Sequence, residues 1–214
     1  MSDTAPARPT LRCGLVILAA GASTRMGAPK QLLEVAGKCL LARAVEAALA
    51  SAAWPVVVVL GANASAIRPV LAPYPVLVTE NEAWSEGMAA SIRAGIHTLQ
   101  QFSHHVDAAL LALCDQPAFC ADTIDRLLIA QRTTGRTIVA ARYAGRCAAP
   151  ALFLREHFPA LVALTGEAGA RALLNEQPER VACVDLPELE LDLDTPSDFA
   201  ALRKIGAGAP APSP

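Results

Sequence analysis

The chain has 214 residues, 53% of them hydrophobic and 18% charged, so it can bury an ordinary core as one α/β domain or two small ones and is not disordered throughout. Its 18 basic and 20 acidic residues leave a net charge of -2, which excludes a broad basic surface for nucleic acid or a membrane. Aromatic residues, at 4%, are too few for a base-stacking platform.

Residues 1–10, M-S-D-T-A-P-A-R-P-T, hold an acid and two prolines before any apolar run. They read as a flexible N-terminus and not as a signal peptide. Cys13 to Ala19 is a bounded apolar run of strand length, and Val56 to Leu60 is β-branched on both faces, as in a strand covered on both sides. Val76 to Thr79 and Ala108 to Leu113 repeat the pattern. Helical stretches separate them: Leu40 to Ser51, Ala64 to Leu71, and Gly87 to Gln100. Strand and helix in alternation predict a three-layer α/β/α, Rossmann-like arrangement with a mostly parallel sheet.

Beyond Asp115 the rhythm changes. Asp122 or Thr123 can cap a helix running to about Gln131. Thr137 to Tyr143 and Pro150 to Leu154 read as strands, Glu156 to Leu164 and Gly169 to Glu176 as short helices, and Val181 to Asp185 and Leu189 to Asp194 as strands again. Thr195-Pro196-Ser197-Asp198 has the residue types of a helix start. The reading is one domain over 11–205, with the segment around 137–190 as an appended lid and 206–214 as a loose Gly, Ala and Pro tail. No run of 18 uncharged apolar residues predicts a membrane span. The six cysteines, at 13, 39, 114, 120, 147 and 183, form no C-x-x-C pair and read as reduced core thiols of a cytoplasmic protein.

The segment with the clearest chemistry follows the first strand. Leu18 to Lys30 reads L-A-A-G-A-S-T-R-M-G-A-P-K, at the strand end where open parallel sheets bind ligands. Gly21 and Gly27 permit turns that a Cβ would block, and the backbone N–H groups between them can hold phosphate oxygens. Arg25 offers a planar fork for a triphosphate, and Lys30 a compact charge; it is one of three lysines in the chain. The loop is neither a Walker loop nor a dinucleotide G-x-G-x-x-G fingerprint.

This string resembles the MobA-like nucleotidyltransferase family, and within it the molybdenum cofactor cytidylyltransferases. Four further blocks carry the resemblance in order: Asn81 to Ile96, Leu111 to Pro117 (L-A-L-C-D-Q-P), Gly166 to Leu173 (G-E-A-G-A-R-A-L) and Leu191 to Asp198 (L-D-L-D-T-P-S-D). It implies a nucleotide-diphospho-sugar transferase-like fold and transfer of CMP from CTP to the terminal phosphate of molybdopterin, with release of pyrophosphate. It also implies Mg²⁺ as cofactor and a molybdoenzyme or its chaperone as recipient. Transfer to a sugar or polyol phosphate, and a non-catalytic cofactor-binding chaperone, are the alternatives.

Asp115, just past an apolar strand, is the candidate metal ligand, with capping of the next helix as its structural alternative. The resemblance places Asp194 opposite it as second ligand; Asp192, two residues away and on the same face of a strand, is the alternative. Arg25, Lys30 and Asp115 are the candidate catalytic residues. Ala19, Ala20, Gly21, Ser23, Gly27, Asn81, Gly87 and Ser91 are the candidate nucleotide contacts, and Arg171 the acceptor contact. Met88, Ile92 and Ile96 fall at helical spacing and read as core. Ala20 stands where guanylyl-transferring relatives usually have glycine, which favours a pyrimidine. The acceptor side departs from the family pattern at Ala148, Ala149 and Glu167. No general base is visible or required: the acceptor phosphate is already ionised, and His104-His105 sits in a polar turn.

Overall fold

The computed structural model describes residues 11–24, 26–176 and 178–191. In chain order the strands are β1 (Cys13–Ala19), β2 (Glu34–Val35), β3 (Lys38–Cys39), β4 (Val56–Leu60), β5 (Leu77–Glu80), β6 (Ala108–Leu113), β7 (Ile138–Tyr143), β8 (Arg146–Leu154) and β9 (Val181–Asp185). The helices are α1 (Leu40–Leu49), α2 (Ala64–Ile67), α3 (Met88–Phe102), α4 (Ala121–Thr134), α5 (Phe158–Ala163) and α6 (Arg171–Glu176).

β1, β4, β6 and β9 fall where the apolar runs predict them, and β5 lies one residue further on. Seven strands make one sheet in the order β5-β4-β1-β6-β8-β7-β9, while β2 and β3 form a separate two-stranded pair. β1 pairs in parallel with β4 and with β6, β4 in parallel with β5, and β7 in parallel with β9; β8 runs against both β6 and β7. Successive side chains of a strand point to opposite faces. Leu15 and Ile17 therefore enter one core cluster, with residues of α1, α2 and α4, and Val16 enters the other, with α3, α5 and α6. Both faces of the sheet are covered, and all of Val56 to Leu60 is inaccessible, as the β-branched run requires. At the far end from the glycine loop, Arg12 grips Asp107 with Nε and Nη2, both at 2.9 Å, tying the start of β1 to the start of β6. No helix among the described residues is long and apolar enough to cross a membrane.

Several expectations are corrected. The segment around 137–190 is not an appended lid: β7, β8 and β9 complete the same sheet. Only the hydrogen-bond partners of these strands, absent from local sequence, decide that. β8 starts at Arg146, earlier than its apolar run, because the exposed end pairs with Arg142 and Tyr143. α4 is capped by Cys120 in a reciprocal arrangement with Thr123, so neither Asp122 nor Thr123 is the cap itself. Leu189 and Glu190 lie in a 3₁₀ turn, Pro187–Glu190, and not in a strand. The proposed continuation to Asp194, the helix start at Thr195 and the tail lie outside the described residues.

The cysteines are not all reduced core thiols. Cys147, on β8, and Cys183, on β9, are joined in a disulfide although they lie 36 residues apart in sequence. Cys13 and Cys114 are buried, and burial pushes the Cys13 thiol up to about 12 and raises that of Cys114 as well. Both are protonated apolar fillers. Cys120 is exposed.

Candidate functional site

The parallel strands β1 and β6 end side by side, and the chemistry gathers at their C-terminal ends. After β1 the chain runs through the glycine loop into a 3₁₀ turn, Lys30–Leu32, which brings Lys30 back towards the sheet. Its ammonium forms an ion pair with Asp115 Oδ2, two residues past β6. Asp115 is 8% exposed, and among the described residues its Oδ1 has no hydrogen-bond partner. A buried carboxylate oxygen in that state is costly unless a cation or donor meets it. Among the described residues, no group of three or more His, Cys, Asp or Glu is placed to hold a metal. A single carboxylate at an open cleft is compatible with Mg²⁺, which takes one or two protein carboxylates and fills the rest of its shell with water and substrate oxygens.

Around this pair lies a cleft of about 530 Å³, lined by Ala19, Ala20, Gly21, Lys30, Gly87, Ser91 and Asp115 among others. These seven sequence candidates are thus brought to one place. Gly27 and Ser23 are not in the lining. Gly27, at a φ of 69°, closes the loop's turn, and Ser23 Oγ accepts the Lys30 N–H at 3.0 Å. Gly21 is a correction: its φ is not in the left-handed region, and a Cβ there would meet nothing within 4 Å. Gly21 lines the open wall of the cleft.

Asn81 does not reach the cleft either. Its Nδ2 donates to Ser91 Oγ at 3.1 Å, and its Oδ1 accepts the Ala83 N–H, so it stands behind Ser91. Gly87, at a φ of 108°, begins α3, and a Cβ on it would lie 2.6 Å from the Gly166 carbonyl oxygen. Met88 is also a correction: it is 38% exposed and lines the cleft, whereas Ile92 and Ile96 are buried as expected. Arg25, Asp192 and Asp194 lie outside the described residues.

A second cavity, of about 500 Å³, adjoins the first and shares Leu18, Met88, Leu113 and Glu167 with it. Its walls are apolar, with Ala148, Ala149, Ala151, Ala168, Ala170 and Ala172, and Arg171, Tyr143 and Asn175 supply polar atoms. The segment carrying Glu167 is fastened to α3 by the Ala89 N–H to the Gly166 carbonyl, 3.1 Å, and by Arg93 Nη1 to the Leu164 carbonyl, 2.9 Å. Gln116 Nε2 donates to Tyr143 Oη at 3.0 Å, linking the end of β6 beside Asp115 to the wall of this cavity. The sequence reading missed Trp84, Ser85, Thr24 and Gln31 as lining residues. An aromatic residue in a polar stretch was the one local signal, for Trp84.

None of the four histidines lines either cavity. His104 and His105 are exposed, and His157 is buried beside Thr137, 2.8 Å from its Oγ1. Burial holds the His157 imidazole below the ordinary histidine range.

The MobA-like NTP transferase domain matches residues 15–181. The chain is 38% identical to nicotine blue oxidoreductase of Paenarthrobacter nicotinovorans over 194 residues, 84% of this chain and 91% of that protein. It is 27% identical to the purine catabolism protein PucB of Bacillus subtilis (strain 168), over 88% and 95% of the two chains. The crystal structure of Rv0371c from Mycobacterium tuberculosis H37Rv matches with a TM-score of 0.74 and 31% identity, covering 91% of this chain and 99% of that one. Rv0371c has also been solved in complex with manganese. A match that begins inside β1 and runs to the start of β9, over the strand ends where the cleft lies, places this chain in the MobA-like NTP transferase family as a nucleotidyltransferase.

Proposed function

We propose that the chain moves CMP from CTP onto the terminal phosphate of molybdopterin, releasing pyrophosphate. The observation that carries this reading is the adjoining pair of cavities: one beside the glycine loop, Lys30 and Asp115, the other apolar and bordered by Arg171. A donor nucleotide and a phosphate-bearing acceptor held there meet at the shared wall of Leu18, Met88, Leu113 and Glu167.

An acceptor phosphate oxygen attacks the α-phosphorus of the nucleotide, and the bond to pyrophosphate breaks. Both reactants are anions, so the catalytic task is charge neutralisation and alignment. Lys30 and Arg25 supply fixed positive charge to the triphosphate, and the loop amides receive its oxygens. Ala19, Ala20 and Ser91 form the wall for base and ribose, with Asn81 holding Ser91. Arg171 meets the acceptor's phosphate. Asp115 Oδ1 is the proposed ligand for Mg²⁺, with Asp194 as the second carboxylate; when bound, the cation supplies Lewis-acid stabilisation to phosphate oxygens.

The alanine-lined second cavity speaks against a sugar or polyol acceptor, whose hydroxyls need polar partners when buried. It equally suits a flat, weakly polar ring. That feature, with the 38% identity to a protein named nicotine blue oxidoreductase, favours a second reading: oxidoreductase chemistry on a planar ring held in the second cavity. The test is pyrophosphate release over the four nucleoside triphosphates, with and without isolated molybdenum cofactor and Mg²⁺. CTP- and cofactor-dependent release is expected. No release with any triphosphate, together with reduction of an added quinone-like dye, would favour the second reading.

A further inference from the structure

Gln31 is a wholly buried polar side chain directly after Lys30. A buried carboxamide persists where its hydrogen bonds are made. Here every one goes to the glycine loop. Nε2 donates to the Ala19 carbonyl at 2.9 Å and to the Gly21 carbonyl at 3.0 Å, and Oε1 accepts from Ser23 Oγ at 3.4 Å. Ser23 is held at a φ of 56°, in the left-handed region, with its Oγ also taking the Lys30 N–H.

A trans peptide group is planar, with its C=O and N–H pointing in opposite directions. Holding the Gly21 carbonyl on Gln31 therefore turns the Ala22 N–H to the other side, and holding the Ala19 carbonyl does the same for the Ala20 N–H. The Ala20 carbonyl is itself fixed by the Ala62 N–H at 3.1 Å, which orients the Gly21 N–H. Among the described residues, no backbone carbonyl outside the helices and strands takes the N–H of Gly21 or Ala22. Both residues line the cleft.

We propose that Gln31 is a positioning residue for the donor's phosphates. Its carboxamide locks two loop carbonyls out of the way, so that loop amides, and not carbonyls, meet the anionic chain. A carbonyl rotated into that place would repel a phosphate oxygen. The inference rests on the nucleotidyl-transfer reading and adds a residue to it.

The test uses the full chain with Gln31→Met, which keeps the shape without a donor, and Gln31→Glu. An ionised carboxyl faces the two carbonyls with no hydrogen to give; a protonated one can donate once. CTP and CMP binding are measured by calorimetry, with thermal unfolding as a check on the fold. CTP is expected to weaken by on the order of ten-fold or more in both variants, and CMP by less than about three-fold, because the lost amides serve the outer phosphates. In Gln31→Glu the CTP deficit relative to wild type shrinks as pH is lowered from about 8 to about 5.5, the range in which a buried carboxyl takes up its proton. That trend is internal to one variant and stands even where Gln31→Met does not fold. Equal weakening of CTP and CMP, or a CTP deficit that is absent or independent of pH in Gln31→Glu, overturns the role. A wild type that binds no nucleoside triphosphate overturns the transferase reading instead.

Discussion

The pairing of Lys30 with Asp115 couples two residues that the sequence offers for separate tasks, one for phosphate and one for metal. Asp115→Asn keeps an acceptor for the Lys30 ammonium and removes the negative charge, so the fold survives. Pyrophosphate release is expected to fall by about 100-fold or more, the scale of losing a preorganised charge at a reacting phosphate; near-normal rates in saturating Mg²⁺ would refute the assignment. Ala20 sits 6% exposed in the cleft wall, and its Cβ lies close enough to Gly61 that a Cβ there would approach it to 2.8 Å. The wall is therefore tight, and a pocket that excludes by shape discriminates by roughly 10–200-fold. Ala20→Gly is expected to narrow the ratio of kcat/KM for CTP over GTP without abolishing CTP use, measured with one acceptor. The glycine loop was legible in sequence because its residue types are unusual at a strand end. The duties of Asn81 and Gln31 were not, since a buried amide is told from an exposed one only by what surrounds it.

At the scale of elements, α3 carries both sides of the site. Its first turn lines the cleft through Met88 and Ser91, and it holds the 164–170 segment through Gly87, Ala89 and Arg93. Gly87 combines a left-handed backbone with close approach to the Gly166 carbonyl, and an alanine meets both obstacles. Gly87→Ala is expected to cost about 1–3 kcal/mol in urea unfolding and to raise the acceptor's KM, because the displaced segment bears Glu167 and leads into Arg171. An unchanged acceptor KM would detach the segment from the acceptor. The strand ends were readable because apolar runs of five to seven residues have sharp limits. The cap of α4 was not, because Cys120 is a poor cap by residue type and serves only with Thr123 set beside it.

The whole molecule shows in two solution properties. With Cys147 and Cys183 bonded, the chain unfolded without reductant is expected to titrate four thiols of its six. Cys147→Ser should lower stability by about 2–4 kcal/mol, the usual contribution of a disulfide; six thiols would show the two cysteines reduced. His157 is buried and neutral, whereas the unfolded chain protonates it near its ordinary pKa of about 6.5. Its folded pKa is lowered, so its contribution to stability is complete above the unfolded pKa and declines as pH falls from there towards the lower folded one. Chemical unfolding between about pH 7.5 and about pH 5 should show this decline, reduced in His157→Gln. An equal slope in that variant would assign the effect to other groups. By itself the sequence determined the α/β class, the strands that end at the cleft and the family, because hydrophobic periodicity and a loop of rare composition are local properties of the chain. Tertiary structure alone decided that residues 138–185 complete the sheet, that Cys147 meets Cys183 and that a second cavity adjoins the first. Each of these depends on which strands lie side by side, and that order follows from packing between residues far apart in the chain.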